Sequence, residues 1–372
     1  MALIKAVLDG NLTVSDIFKD RLATCTTCHA CEASCPCNVP VAAIIQAAKE
    51  QALAELGPDF LGTIVSAALN HPAVLRATAW LAPVVLRYES AESRVQSRKV
   101  ERSAFGDFPA GMSAGKSRSK EKKGRVAFFP GCAISAFQKD IGSAVMSVLR
   151  RLGYDAFIPE GLQCCGRPLL SLGDRAAARQ LAERNAAVFT SQEADAIVTA
   201  CASCGLTFKK EYPTLLRPGT KAPAVLDIHE FLAGALRGLS LGFVRKTVTV
   251  HIPCHLGRGQ GLPRAVHDIL RAVPGMQIVE SENADRCCGF GGVMRITHHA
   301  LSDGIAEEKA RTLIAAGAAV VVTGCPGCRL QIGNALRRAG ADIDVLHTVQ
   351  VIDEALAMGE ELETREASFA AR

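Results

Sequence analysis

One cysteine pattern occurs twice in this chain, and the duplication limits the folds open to it. Cys132, Cys164, Cys165, Cys201 and Cys204 form the first copy, and Cys254, Cys287, Cys288, Cys325 and Cys328 form the second, 122–124 residues further on. The flanking text repeats as well. RVAFFPGC corresponds to TVTVHIPC, AIVTACASC to VVVTGCPGC, and AVLDIHEFL to DVLHTVQVI. A motif whose flanks match along with its cysteines describes one structural unit made twice.

Each copy alternates short apolar runs with amphipathic stretches. In the first, VAFF ends near Cys132, a helical pattern follows from about Gln138 to Leu152, and YDAFIP leads to the Cys-Cys-Gly triplet. DRAAARQLAERNAAVFTSQ then has helical spacing and strong helix formers, and DAIVTA reads as a buried strand ending at Cys201. TVTVHIP, MQIVES and AAVVVTG repeat the strands in the second copy. Strand–helix alternation predicts a parallel sheet, and the cysteines fall just beyond the carboxyl ends of its strands, where open α/β sheets place ligands. Five thiols from three loops are therefore expected to converge in each copy. Adjacent cysteines make a poor disulfide, because neighbouring Cα atoms lie about 3.8 Å apart, short of the roughly 4.4 Å minimum usual for the bridge. Two neighbouring sulfurs suit a cluster of several iron atoms, with Gly166 and Gly289 allowing the chain to turn beside them. A zinc site using four of the five thiols is the alternative.

Nearer the N-terminus, CTTCHACEASCPC contains C-x2-C-x2-C-x3-C-P at Cys25, Cys28, Cys31, Cys35 and Pro36, the bacterial-ferredoxin run for a [4Fe-4S] cubane. In two-cluster ferredoxins the fourth cysteine serves the other cluster, and one run occurs here. Cys37 is open to three readings: a spare ligand, a resolving thiol, or a buried cysteine without a role. His29, His251 and His255 lie near cysteines, and Arg167 and Arg286 stand beside the two Cys-Cys pairs. Packing or capping accounts for these histidines at least as well as contact with a cluster. No acid–base pair stands out.

Fifteen cysteines and no signal-like opening segment point to a reducing, cytoplasmic setting. The formal charge of +5 is concentrated in the basic run KSRSKEKKGR, Lys116 to Arg125, which reads as a solvated linker; no nucleic-acid footprint is visible. The most apolar stretch, from Phe60 to Tyr88, is interrupted by His71, Pro72, Arg76 and Pro83, so it does not read as a membrane span. The expected organisation is a ferredoxin-type segment over 1–60, a helical connector and basic linker over 61–124, and cysteine-rich domains over 125–240 and 241–360. The fold class is α/β, a helical [4Fe-4S] segment followed by two duplicated domains with parallel sheets.

One ferredoxin-type run followed by two such repeats resembles the cysteine-rich-domain iron-sulfur proteins. That family includes the iron-sulfur subunit of glycolate oxidase, the corresponding subunit of anaerobic glycerol-3-phosphate dehydrogenase, lactate-oxidation proteins and cluster-bearing heterodisulfide reductase subunits. The opening LIKAVLDGN is similar to the segment between two cubane motifs in glycolate oxidase subunits. The resemblance implies a cubane at Cys25, Cys28, Cys31 and Cys35, and iron-sulfur clusters at the ten repeat cysteines. Those clusters would be noncubane [4Fe-4S], with zinc in place of iron at one of them as an alternative. It also implies electron transfer from a flavoprotein dehydrogenase subunit that oxidises a small 2-hydroxy acid, glycolate or lactate, toward quinone or another acceptor. A further iron-sulfur or membrane subunit would complete the complex and could hold this chain at the inner face of the membrane. No flavin or NAD is expected on this chain, since no GxGxxG opens a helix after a strand. Three other readings are a disulfide reductase acting at the cysteine-rich centres, the iron-sulfur subunit of a glycerol-3-phosphate dehydrogenase, and a zinc-binding interaction protein.

Overall fold

The computed structural model describes residues 1–70, 123–239 and 241–370. Most of the expected connector over 61–124, the apolar stretch beyond residue 70 and most of the basic run lie outside the described residues.

The duplication is visible as two four-stranded parallel sheets of one topology. The first contains β1 (Arg125–Phe129), β2 (Asp155–Phe157), β3 (Ala196–Thr199) and β4 (Val225–Asp227) in the order β2-β1-β3-β4. The second contains β5 (Lys246–His251), β6 (Met276–Ile278), β7 (Val320–Thr323) and β8 (Asp344–His347) in the order β6-β5-β7-β8. Every strand pair is parallel, with Val126 opposite Ala196 in the first sheet and Val248 opposite Val320 in the second. Val126–Phe129 and Val320–Thr323 are buried without alternation, as expected where helices cover both faces of a parallel sheet. β4 and β8 come from the matched AVLDIHEFL and DVLHTVQVI stretches. Three and four residues long, they are too short to display a period of their own.

The two sheets share their apolar cores. Phe128, Val145 and Leu149 from the first copy bury with Val349, Ile352 and Leu356 of the long helix Thr348–Ala370. Ser147 Oγ donates to Asp353 Oδ1 at 2.6 Å along the same seam. Burial pushes the Asp353 carboxyl above its usual range, against the opposing pull of Ser147 and Arg151.

The N-terminal helices Ala2–Leu8, Asp16–Ala23 and Val41–Leu56 enclose a smaller core of Ile4, Phe18, Leu22, Ile45, Ala48 and Ala52. Ser15 caps the second of them, accepting from Phe18 N at 3.3 Å. Gln46 ties the third to the first repeat, donating to the Leu170 carbonyl at 2.5 Å. Among the described residues no helix is long and apolar enough to cross a membrane.

Ile352 is fully buried in the seam between the copies. Ile352→Ala is expected to cost about 2–5 kcal/mol. With a shared core, both repeats should unfold together, so denaturant unfolding followed by circular dichroism should show one transition at a lower midpoint. Two separated transitions in the parent chain would contradict the shared core.

Candidate metal centre

In the first sheet the chain leaves β1 toward β2 on one side and later returns to β3 on the other. This opens a crevice beyond the carboxyl ends of β1 and β3. Cys132 lies in the helix Gly131–Phe137 directly after β1, and Cys201 caps the helix Ala202–Leu206 after β3. Cys164 and Cys165 arrive from the loop after β2. The second copy repeats the plan: Cys254 opens the helix Cys254–Gly257, and Cys325 caps the helix Pro326–Arg338. All fifteen cysteines are free thiols.

The structure brings the five sulfurs of each copy together. Cys164 Sγ lies 3.6 Å from Cys132 Sγ. Cys165 accepts from Cys164 and Cys204, with help from the Arg167 backbone N–H and the Thr207 hydroxyl, and these donors hold its thiol well below the ordinary range. Cys204 is pushed up by Cys165, Cys201 and burial. In the second copy Cys288 Sγ lies 3.4 Å from Cys328 Sγ. Cys287 is held low by Cys254 and Cys288, and the Gly289 N–H reaches its sulfur at 3.4 Å. The copies then meet. Cys325 is held low by Cys201 of the first copy and by Cys328, so the two sets form one continuous field of sulfur.

The N-terminal loop reaches this field. The Cys31 thiol is raised by burial and by the neighbouring Cys28 and Cys25, so three of the four expected cubane cysteines are neighbours. Cys35 is half-buried beyond the short helix Ala30–Ala33, and Cys37 is exposed. Thr27 and His29 hold left-handed conformations, with φ of 50° and 60°. The Thr26 hydroxyl lies 3.8 Å from Cys287 Sγ, and the Cys28 carbonyl accepts from Arg258 Nε at 3.0 Å.

Several contacts at this junction have no signal in the sequence, because they join residues far apart along it. His255 pairs with Ser203 Oγ at 2.8 Å through Nδ1 and with the Thr27 carbonyl at 3.2 Å through Nε2, so one ring joins both repeats and the N-terminal loop. Burial, with Arg167 nearby, lowers its pKa to about 3, so it stays neutral. Arg167 is buried between Glu211, at 3.0 Å, and the Thr27 hydroxyl. Arg286, which precedes the other cysteine pair, turns outward to Glu308 at the surface. His29 pairs with Glu32 at 2.6 Å. Against the upward push of burial, that contact and the Ala42 N–H hold the Glu32 carboxyl below its usual range.

The glycines after Cys287–Cys288 have two distinct uses. Gly289 has φ +85°, and a Cβ there would meet the Ser302 carbonyl oxygen at 2.7 Å. A Cβ on Gly291 would run into the Thr26 side chain, so its bareness admits the N-terminal cysteine loop.

A cysteine-rich (CCG) domain model matches residues 126–209 and 248–333. The chain is 36% identical to a fumarate reductase (CoM/CoB) subunit of Methanothermobacter marburgensis, over 62% of this chain and 46% of that protein. It is 32% identical to an uncharacterized iron-sulfur protein of Methanococcus maripaludis, over 64% of this chain and 48% of that one. It therefore spans about half the length of these archaeal relatives. To lactate utilization protein A of Bacillus velezensis it is 30% identical, over 62% of this chain and 99% of that protein.

Gly289→Ala should combine left-handed strain with a backbone clash and cost roughly 1–3 kcal/mol. Gly261→Ala, at φ +73° with open space around the new methyl, should cost less. Urea midpoints of the two variants check the difference, and equal losses would contradict the close approach at Gly289.

Proposed function

Since this chain belongs to the family of cysteine-rich CCG-domain proteins, we propose that it is an iron-sulfur electron-carrying subunit of an oxidoreductase complex. The observation that carries this reading is the continuity of sulfur from Cys25, Cys28 and Cys31, past Thr26 to Cys287, and across Cys325 to Cys201.

The donor set fits the group. Clustered thiolates select iron-sulfur clusters, zinc or copper(I), and five sulfurs per copy exceed the four that a structural zinc takes. Cys25, Cys28, Cys31 and Cys35 would hold a [4Fe-4S] cubane. Cys132, Cys164, Cys165, Cys201 and Cys204 would hold one noncubane cluster, and Cys254, Cys287, Cys288, Cys325 and Cys328 a second, with zinc the alternative at one of them. Bound there, the clusters would supply one-electron redox steps.

The chain's own residues keep these sites apart from solvent and in fixed relation. Seven of the ten repeat cysteines are buried. His255, neutral and fixed at both nitrogens, sets the distance between the cubane loop and the two repeats. Arg167 holds Thr27 from the first repeat, and Arg258 holds the Cys28 carbonyl from the second. The Arg167 and Gly289 backbone N–H groups stabilise negative charge on Cys165 and Cys287.

The likeness to lactate utilization protein A supports lactate as the kind of substrate the complex handles; the partner in this reading is a flavoprotein that oxidises a small 2-hydroxy acid, glycolate or lactate, with electrons leaving toward quinone or another acceptor. Under anaerobic conditions the chain alone should oxidise none of these acids, and dithionite should reduce its centres. Mixed with its cognate flavoprotein, it should show reduction of the same centres in visible and paramagnetic resonance spectra when glycolate, D-lactate or L-lactate is added. Substrate turnover by the chain alone, or signals that answer only to a disulfide, would contradict the reading.

A further inference from the structure

The two copies differ at one buried position beside their sulfurs. The residue three places before the first cysteine ends the first strand of each sheet, and it is Phe129 in one copy and His251 in the other. Phe129 stacks edge-on with Phe208, ring centroids 4.8 Å apart. A Cβ on Gly131 would meet both the Phe129 ring, at 3.4 Å, and Cys204 Sγ, at 2.9 Å, so a hydrocarbon ring lies close to that sulfur.

In the second copy an imidazole occupies the place. His251 is wholly buried, and one of its ring nitrogens lies with Cys288 Sγ and Cys328 Sγ so that all three atoms are within 4.8 Å of one another. Neither ring nitrogen has a hydrogen-bond partner. The Ala284 carbonyl bears on the ring, but it accepts the Ile252 N–H at 3.0 Å. Lys309, the nearby cation, donates to the Asn283 carbonyl at 2.6 Å. A buried imidazole without partners costs stability unless something outside the protein satisfies it, and the first copy shows that a phenyl ring fills the equivalent place.

We propose that His251 is a nitrogen ligand to the metal held by Cys288 and Cys328, giving the second centre mixed thiolate–imidazole ligation while the first is all thiolate. The inference rests on the reading that the repeat thiols hold iron. Metal–sulfur bonds of about 2.3 Å and metal–nitrogen bonds of about 2.0 Å set tetrahedral donors a little under 4 Å apart, and the 3.4 Å between the two sulfurs is already in that range. Both copies keep five thiols, so the imidazole adds a neutral donor rather than replacing a thiolate, and a change of ligand at an iron-sulfur centre changes its reduction potential. The two centres therefore differ in potential.

The test uses the full chain, purified anaerobically and labelled with 15N-histidine, beside H251F, which installs the first copy's own residue. Iron and zinc are counted per chain, and pulsed paramagnetic resonance of the reduced protein reads nitrogen coupled to iron. The expected result is a directly bonded imidazole coupling that changes with the label and is lost in H251F, with iron retained and a shifted midpoint potential for one centre. Iron present with no such coupling, or spectra and potentials identical in H251F, would overturn the ligand while leaving the electron-carrying reading intact. Zinc without iron would overturn that reading instead. X-ray absorption at the zinc edge would then decide the ligand: a histidine scattering pattern lost in H251F supports it, and an all-sulfur shell overturns it.

Discussion

Ten thiols packed against one another in a buried crevice set the terms for the rest of the molecule. Thiolates in near contact repel strongly where water is excluded, so without a cation among them most of these sulfurs keep their protons and a few carry the charge. Cys165, Cys287 and Cys325 are the thiols held below the ordinary range, each by hydrogen bonds from neighbouring thiols. A cation removes the conflict. The crevice is thus built for positive charge at its centre, and the surrounding backbone is arranged to bring sulfur there from many directions.

A parallel sheet with short strands does this economically. Every loop leaving a carboxyl edge ends on the same side, so three loops per copy deliver five cysteines without any long excursion. Duplication doubles the supply, and the common core of Phe128, Leu149, Ile352 and Leu356 presses the two edges together until Cys201 meets Cys325. The N-terminal loop then sits on the seam, admitted by the bare Gly291 and fastened by Thr27, His255 and Arg258.

Much of this was readable in the sequence, for reasons that can be given residue by residue. The cysteine spacing and the VAFF and VVVT runs marked the repeat and its central strands, because continuous burial leaves continuous apolar text. β4 and β8 were visible only as matched text, since three or four residues carry no period. The meeting of Cys201 with Cys325 was not readable, because it depends on how two finished domains pack. The division of labour between Arg167 and Arg286 was hidden for the same reason: both follow or precede a cysteine pair, yet one is buried against Glu211 and the other faces solvent. In sequence His251 neighbours Cys254, whereas in space its neighbours are Cys288 and Cys328.

The most direct test of the account is a crystal of the anaerobically purified chain measured on both sides of the iron absorption edge. The account predicts anomalous iron density at three places: within the loop of Cys25, Cys28 and Cys31, among the thiols around Cys165, and among those around Cys288. Density at the N-terminal loop alone, with the two sulfur crevices empty of iron, would contradict it.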